Sequence, residues 1–89
     1  MGGYVYILKS LKNGIFYVES TNDLKRRVKE HNLGKSKFVR FNKPFELVFS
    51  QFYDDLEIAR KVEFKLKSFK SREILEKIVK DGYCSLEFN

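Results

Sequence analysis

The pattern of apolar and polar positions changes period several times along this chain. Tyr4–Leu8 and Ile15–Glu19 are short β-branched and aromatic runs, joined through Lys9-Ser10-Leu11-Lys12-Asn13-Gly14. An Asn-Gly pair between two such runs favours a tight reversal, so a β-hairpin is expected. Ser20-Thr21-Asn22-Asp23 then offers side-chain acceptors for the first free amides of a helix. That helix is expected over roughly Asp23–Leu33, with Gly34 as its stop. Lys35–Pro44 has no clean period and no acid, and reads as an extended loop. Glu46–Tyr53 alternates in part and reads as a third strand ending at Asp54-Asp55. A second helix runs from there to about Phe69, with Ala59, Val62, Leu66 and Phe69 along one face. Ser71 is placed to cap a last helix, Arg72–Lys80, which Gly82 terminates. Tyr83–Phe88 fits either a short strand or packed coil. The order β-β-α-β-α-α predicts an α+β fold, a small three-stranded antiparallel sheet flanked by helices.

Length and composition narrow this further. A chain of 89 residues has room for one domain, 1–89, around one modest core. Nine Phe and five Tyr mean that large aromatic side chains supply much of that core. The formal net charge of +6 suits an anionic partner, nucleic acid above all, although a lysine-rich surface also serves solubility. Cys84 is the single cysteine, which excludes an intrachain disulfide and a cysteine-based zinc site. No apolar run is long enough to span a membrane, and the N-terminus lacks the basic region followed by a hydrophobic core that a secretory leader would show. A soluble, cytoplasmic protein is the expectation.

Three groups of residues carry candidate chemistry. Arg27 and His31 lie four apart on the first helix, beside the apolar positions Leu24 and Val28. Together they can reach one anionic group, and a guanidinium matches two phosphate oxygens at once. Surface residues of these types are also commonly just solvated. Glu63 falls at the edge of the second helix's apolar stripe, where a carboxylate needs a partner. That partner is either a basic side chain, Arg27 or a lysine, or a hard divalent cation such as Mg²⁺ or Mn²⁺. Tyr4, Tyr6 and Tyr17 of the hairpin are ordinary packing residues unless a hydroxyl points towards Arg27 and Glu63.

The segment YVYILKSLKNGIFYVESTNDLKRRVKEHN, with its two tyrosine motifs Tyr4-Val5-Tyr6 and Tyr17-Val18-Glu19, resembles the opening of the GIY-YIG family. That family includes homing endonucleases, the UvrC repair incision module, some restriction enzymes and small stand-alone bacterial domains. Arg27 and His31 match its helix motif, and Glu63 within ARKVEFKLKSFK matches its helix glutamate. The resemblance runs from about Gly3 to Arg72. It implies a metal-dependent endonuclease that cleaves DNA with a single Mg²⁺ or Mn²⁺ ion. Carried over by position, Glu63 would hold the metal and Arg27 would offset charge on the phosphorus. Tyr6 or Tyr17 would help deprotonate the attacking water, with His31 assisting. A tyrosine base needs its pKa lowered by nearby positive charge.

The chain departs from the family pattern at Tyr4, which replaces the first glycine, at Val39, which replaces a threonine before Arg40, and at Glu19. The second tyrosine motif expects glycine at position 19. A glutamate there can repel the substrate phosphate, pair with Arg27 or swing out to solvent. The alternative reading of the whole chain follows from it: a catalytically impaired nucleic-acid-binding module. Nucleic-acid contacts are expected from Lys35, Lys37, Arg40 and Lys43, interleaved with Phe38 and Phe41, and from Lys67 and Lys70. Phe64, off the core stripe of its helix, leaves monomer and homodimer both open.

Overall fold

The computed structural model describes residues 2–33 and 41–85. β1 (Gly3–Ser10) pairs antiparallel with β2 (Phe16–Thr21) on one side and with β3 (Phe45–Tyr53) on the other, giving the order β2-β1-β3. Among the described residues three helices accompany this sheet: α1 (Leu24–Asn32), α2 (Leu56–Phe69) and α3 (Arg72–Asp81). The α+β class, the antiparallel sheet and the element order are those the pattern predicts.

Local chemistry explains the boundaries. Gly14 has φ +76°, a left-handed conformation that costs glycine little. Asn13 stays out of that region, so the reversal is not the two-residue type that needs both residues left-handed. A wider loop forms instead, held by the Ser10 hydroxyl, which accepts from the amides of Lys12 and Asn13. Asp23, Asp55 and Ser71 cap α1, α2 and α3, each accepting from an amide of the first turn. Gly82, at φ +77°, ends α3 as expected. Lys70 takes the left-handed position that closes α2, a role more often given to glycine.

β3 contains one irregularity that organises the molecule. Ile7 pairs with Phe49 but Leu8 pairs with Leu47, so Val48 is an extra residue on β3. Without it Phe45, Leu47 and Phe49 would share a face. The bulge sends Phe45 to the α1 side, where it packs with Tyr6 and Leu8, and Phe49 to the opposite side, with Val5, Ile7 and Val18. This is why the third strand alternates only in part.

The two sides differ in kind. Val5, Ile7, Val18 and Phe49 meet Ala59, Val62 and Leu66 of α2 and Ile78 of α3, forming the main apolar core. Gly3 allows α2 to start close to the sheet, since a Cβ there would lie 2.5 Å from Leu56 Cδ1. The smaller α1 side buries Tyr6, Leu8 and Phe45 beneath Leu24 and Val28, but it also buries His31. Phe41 and Asn42, the described end of the Lys35–Pro44 stretch, have helical backbone, which corrects the extended-loop expectation there. Phe41 is exposed.

Candidate active site

Tyr6 and Glu19 face each other across the β1–β2 pair and point to the α1 side. The Tyr6 hydroxyl donates to Glu19 Oε1 at 2.9 Å. His31 Nε2 lies 3.0 Å from the same oxygen and an Arg27 Nη lies 3.2 Å from it. A carboxylate only accepts, so Nε2 carries a hydrogen in this arrangement and three donors converge on one oxygen. Tyr6 Oη and His31 Nε2 are themselves 3.5 Å apart. Arg27 also reaches Glu30, one turn on, at 3.3 Å.

This convergence is built by packing. Arg27 and His31 stack at helical spacing on α1, as the sequence indicates. His31, however, is 5% exposed and not merely on a flank, because the Phe45 ring stands edge-on at 5.8 Å. Asn32 fixes that neighbour. Its Oδ1 accepts from the Phe45 amide at 2.8 Å and ties the end of α1 to the start of β3. Neither the burial of His31 nor the Asn32 clamp is legible in the sequence, since both depend on a strand that follows in the chain.

The electrostatics follow from the geometry. The hydrogen bond from His31, then that from Tyr6 and the charge of Arg27, outweigh burial and hold the Glu19 carboxyl at about 2, against an ordinary 4.5. Burial first, and then the Glu19 charge and hydrogen bond, push the Tyr6 hydroxyl well above its ordinary value. Burial likewise raises Tyr17. The expectation of a tyrosine base with a lowered pKa is therefore reversed in this arrangement. Tyr6, Arg27 and His31 form a pocket of donors already filled by a carboxylate. Of the three fates open to Glu19, the structure shows pairing with Arg27.

Tyr17 shares the face of Tyr6 but stands opposite Leu8, its ring edge-on to Phe45 at 5.1 Å. Glu63 approaches from α2 on the other side of the sheet. Its Oε1 accepts from Ser20 Oγ and its Oε2 pairs with Lys67 at 2.6 Å. Ser20 is next to Glu19 on the edge strand, and the Glu63 charge reaches far enough to raise Tyr6. The structure thus brings Tyr6, Arg27 and His31 together around Glu19, with Glu63 at the adjoining sheet edge. Lys67 supplies the basic partner that a carboxylate at this position requires. The four-residue spacing of Glu63 and Lys67 could have shown this from sequence alone.

Among the expected nucleic-acid contacts, Lys43 is exposed, while Lys35, Lys37 and Arg40 lie outside the described residues. Lys67 and Lys70, with Arg72, line a cavity of about 420 Å³ along the free edge of β2 from Ile15 to Glu19. No described helix is long and apolar enough to cross a membrane.

A sequence profile described as the GIY-YIG catalytic domain matches residues 2–78. The chain belongs to the GIY-YIG family. Its relatives include the UPF0213 protein SSP2268 of Staphylococcus saprophyticus, 32% identical over 80 residues, covering 89% of this chain and 95% of that one. The UPF0213 protein BH0048 of Halalkalibacterium halodurans is 38% identical over 74 residues, covering 82% and 78% respectively. The solution NMR structure of BH0048, reported from Bacillus halodurans, superimposes with a TM-score of 0.57 over 90% of this chain and 84% of that one. Membership of the GIY-YIG family points to nuclease-type chemistry on nucleic acid.

Proposed function

We propose that this GIY-YIG domain is a metal-dependent endonuclease for DNA phosphodiesters in which Glu19 occupies the position of a substrate phosphate oxygen. The observation that carries this reading is the convergence of Tyr6, Arg27 and His31 on the single oxygen Oε1 of Glu19. Donors fixed by packing around one anionic oxygen are the arrangement that stabilises charge developing on a reacting group. With Glu19 withdrawn, the same donors meet a phosphate. Arg27 then offsets charge on the five-coordinate phosphorus.

Glu63 fits a single Mg²⁺ or Mn²⁺ ion as a lone hard oxygen ligand. Among the described residues no group of three His, Cys, Asp or Glu side chains forms a fuller site. An ion that keeps several of its waters needs no more. Bound there in place of Lys67, the ion would supply charge neutralisation at the leaving oxygen. Water attacks the phosphorus, the bond to the leaving oxygen breaks, and that oxygen takes up a proton from solvent. The attacking water loses its proton to the Tyr6 oxygen as the Tyr6 hydroxyl proton passes to His31 Nε2, 3.5 Å away, whose lone pair is available once it no longer donates to Glu19. Both roles require Glu19 to be out of the pocket, because the Tyr6 hydroxyl and His31 Nε2 both donate to its carboxylate while it is there.

One observation favours a second reading, a nucleic-acid-binding module without cleavage. The filled pocket holds its potential bases as donors. Nicking of supercoiled and branched DNA with Mg²⁺ or Mn²⁺, against a chelator control, separates the two. Wild type should cut weakly, Glu19→Gly should cut about ten- to a hundredfold faster, and Arg27→Ala or Glu63→Ala in that background should abolish the gain. DNA bound but uncut by both wild type and Glu19→Gly establishes the binding module. Faster cutting by wild type than by Glu19→Gly makes Glu19 a participant and overturns its role as a plug.

A further inference from the structure

α2 carries an aromatic residue that the fold does not use. Ala59, Val62 and Leu66 turn towards the sheet and are buried. At 100° per residue, Phe64 points almost directly away from them, and it is 76% exposed. Other rings beside this helix are covered by cations: Lys65 Nζ lies 5.6 Å from the centre of Phe69, and the Arg72 guanidinium lies 4.4 Å from that of Phe16. Phe64 keeps most of its surface in water.

Its surroundings indicate what could cover it. Arg60 and Lys61 lie one turn before Phe64, Lys67 and Ser68 one turn after, and all four are exposed. Passing around the helix from the core, Glu63 comes first, then Lys67 and Arg60, then Phe64. The exposed ring is therefore joined to the Glu63 edge of the candidate active site by positive charge. An apolar side chain of a protein partner brings no compensating charge for these cations. An unpaired base brings a flat π-face for the ring together with a phosphate on either side. Bases inside a continuous duplex are stacked on one another, and their faces are covered.

We infer that Phe64 is a stacking platform for an unpaired base next to the phosphate held near Glu63, which makes single-stranded or branched nucleic acid the substrate class. This rests on the nuclease reading for the position of the scissile phosphate. The stacking itself is tested by binding alone. Fluorescence anisotropy at low salt would compare a labelled single strand, a branched junction and a duplex of equal length, with the full chain and with Phe64→Ala and Phe64→Trp. Wild type should prefer the first two. Phe64→Ala should lose on the order of ten- to a hundredfold in affinity for them, stay within about twofold for duplex, and be rescued by Phe64→Trp. A 2-aminopurine in the single strand should change its emission with wild type and not with Phe64→Ala.

Equal binding of the three substrates by Phe64→Ala and wild type overturns the inference, as does an equal loss on duplex and single strand. So does a wild-type dimer in sedimentation that Phe64→Ala dissociates, since the ring is then covered by a second copy. The two readings fail separately. Phe64-dependent binding without cleavage by any variant removes only the nuclease, and cleavage indifferent to Phe64→Ala removes only the stacking platform.

Discussion

Val18 and Glu19 are neighbours on β2 and belong to different parts of the molecule. Val18 joins an apolar layer closed by α2 and α3, in which Val5, Ile7, Ala59, Val62 and Leu66 are almost wholly shielded from water. Glu19 faces α1, where the interior contains a tyrosine hydroxyl, an imidazole and a guanidinium directed at one oxygen. Successive residues of a strand alternate faces, so one short segment contributes to both. The apolar side needs no particular partner for any atom and tolerates variation in shape better than a change in charge. The α1 side is specific and costly, because every buried polar atom there must be matched. Stability is concentrated on the first side and chemistry on the second, with Glu63 and Ser20 connecting them at the sheet edge.

That division can be broken from its stable side. Leu66→Ala empties a fully packed position beneath α2 and should cost about 2–5 kcal/mol. Urea unfolding followed by circular dichroism would register it as a lower midpoint with an unchanged slope. A loss under about 1 kcal/mol would mean that α2 contributes far less to the fold than its burial indicates.

A smaller effect should appear on the α1 side and depend on pH. Glu19 has a folded pKa depressed from 4.5 to about 2, so its contribution is fully present above about pH 4.5 and lost as pH falls towards 2. That interval corresponds to roughly 3 kcal/mol as an upper bound. Stability measured from pH 6 down to pH 2 should fall more steeply in wild type than in Glu19→Gln. Parallel acid profiles for wild type and Glu19→Gln would show that the carboxylate gains nothing from Tyr6, Arg27 and His31.

The sequence made the apolar side legible in some detail. Ala59, Val62 and Leu66 follow from helical period, and Asp55, Ser71 and Gly82 mark boundaries by their capping chemistry. The candidate site was legible as a set of residues and less so as an arrangement. The Arg27–His31 spacing gave their adjacency, but the burial of His31 depends on Phe45, whose direction is set by the bulge at Val48. No local pattern announces that bulge. Glu19 stood out as the wrong residue for its motif, yet only tertiary packing decides between pairing, repulsion and escape to solvent. Ser20 reads from the sequence only as a possible capping acceptor, because its partner Glu63 lies far along the chain.

The most direct test of the plugged pocket needs neither metal nor cleavage. Inorganic phosphate titrated into ¹⁵N-labelled wild type and Glu19→Gly, followed through the His31 ring nitrogens and the Arg27 guanidinium, reports whether the three donors accept an anion once the carboxylate is gone. Glu19→Gly should bind phosphate about ten- to a hundredfold more tightly than wild type, with the shifts confined to Tyr6, Arg27 and His31. Equal affinity in the two proteins, or shifts that leave His31 and Arg27 untouched, would contradict the claim that Glu19 occupies a phosphate site.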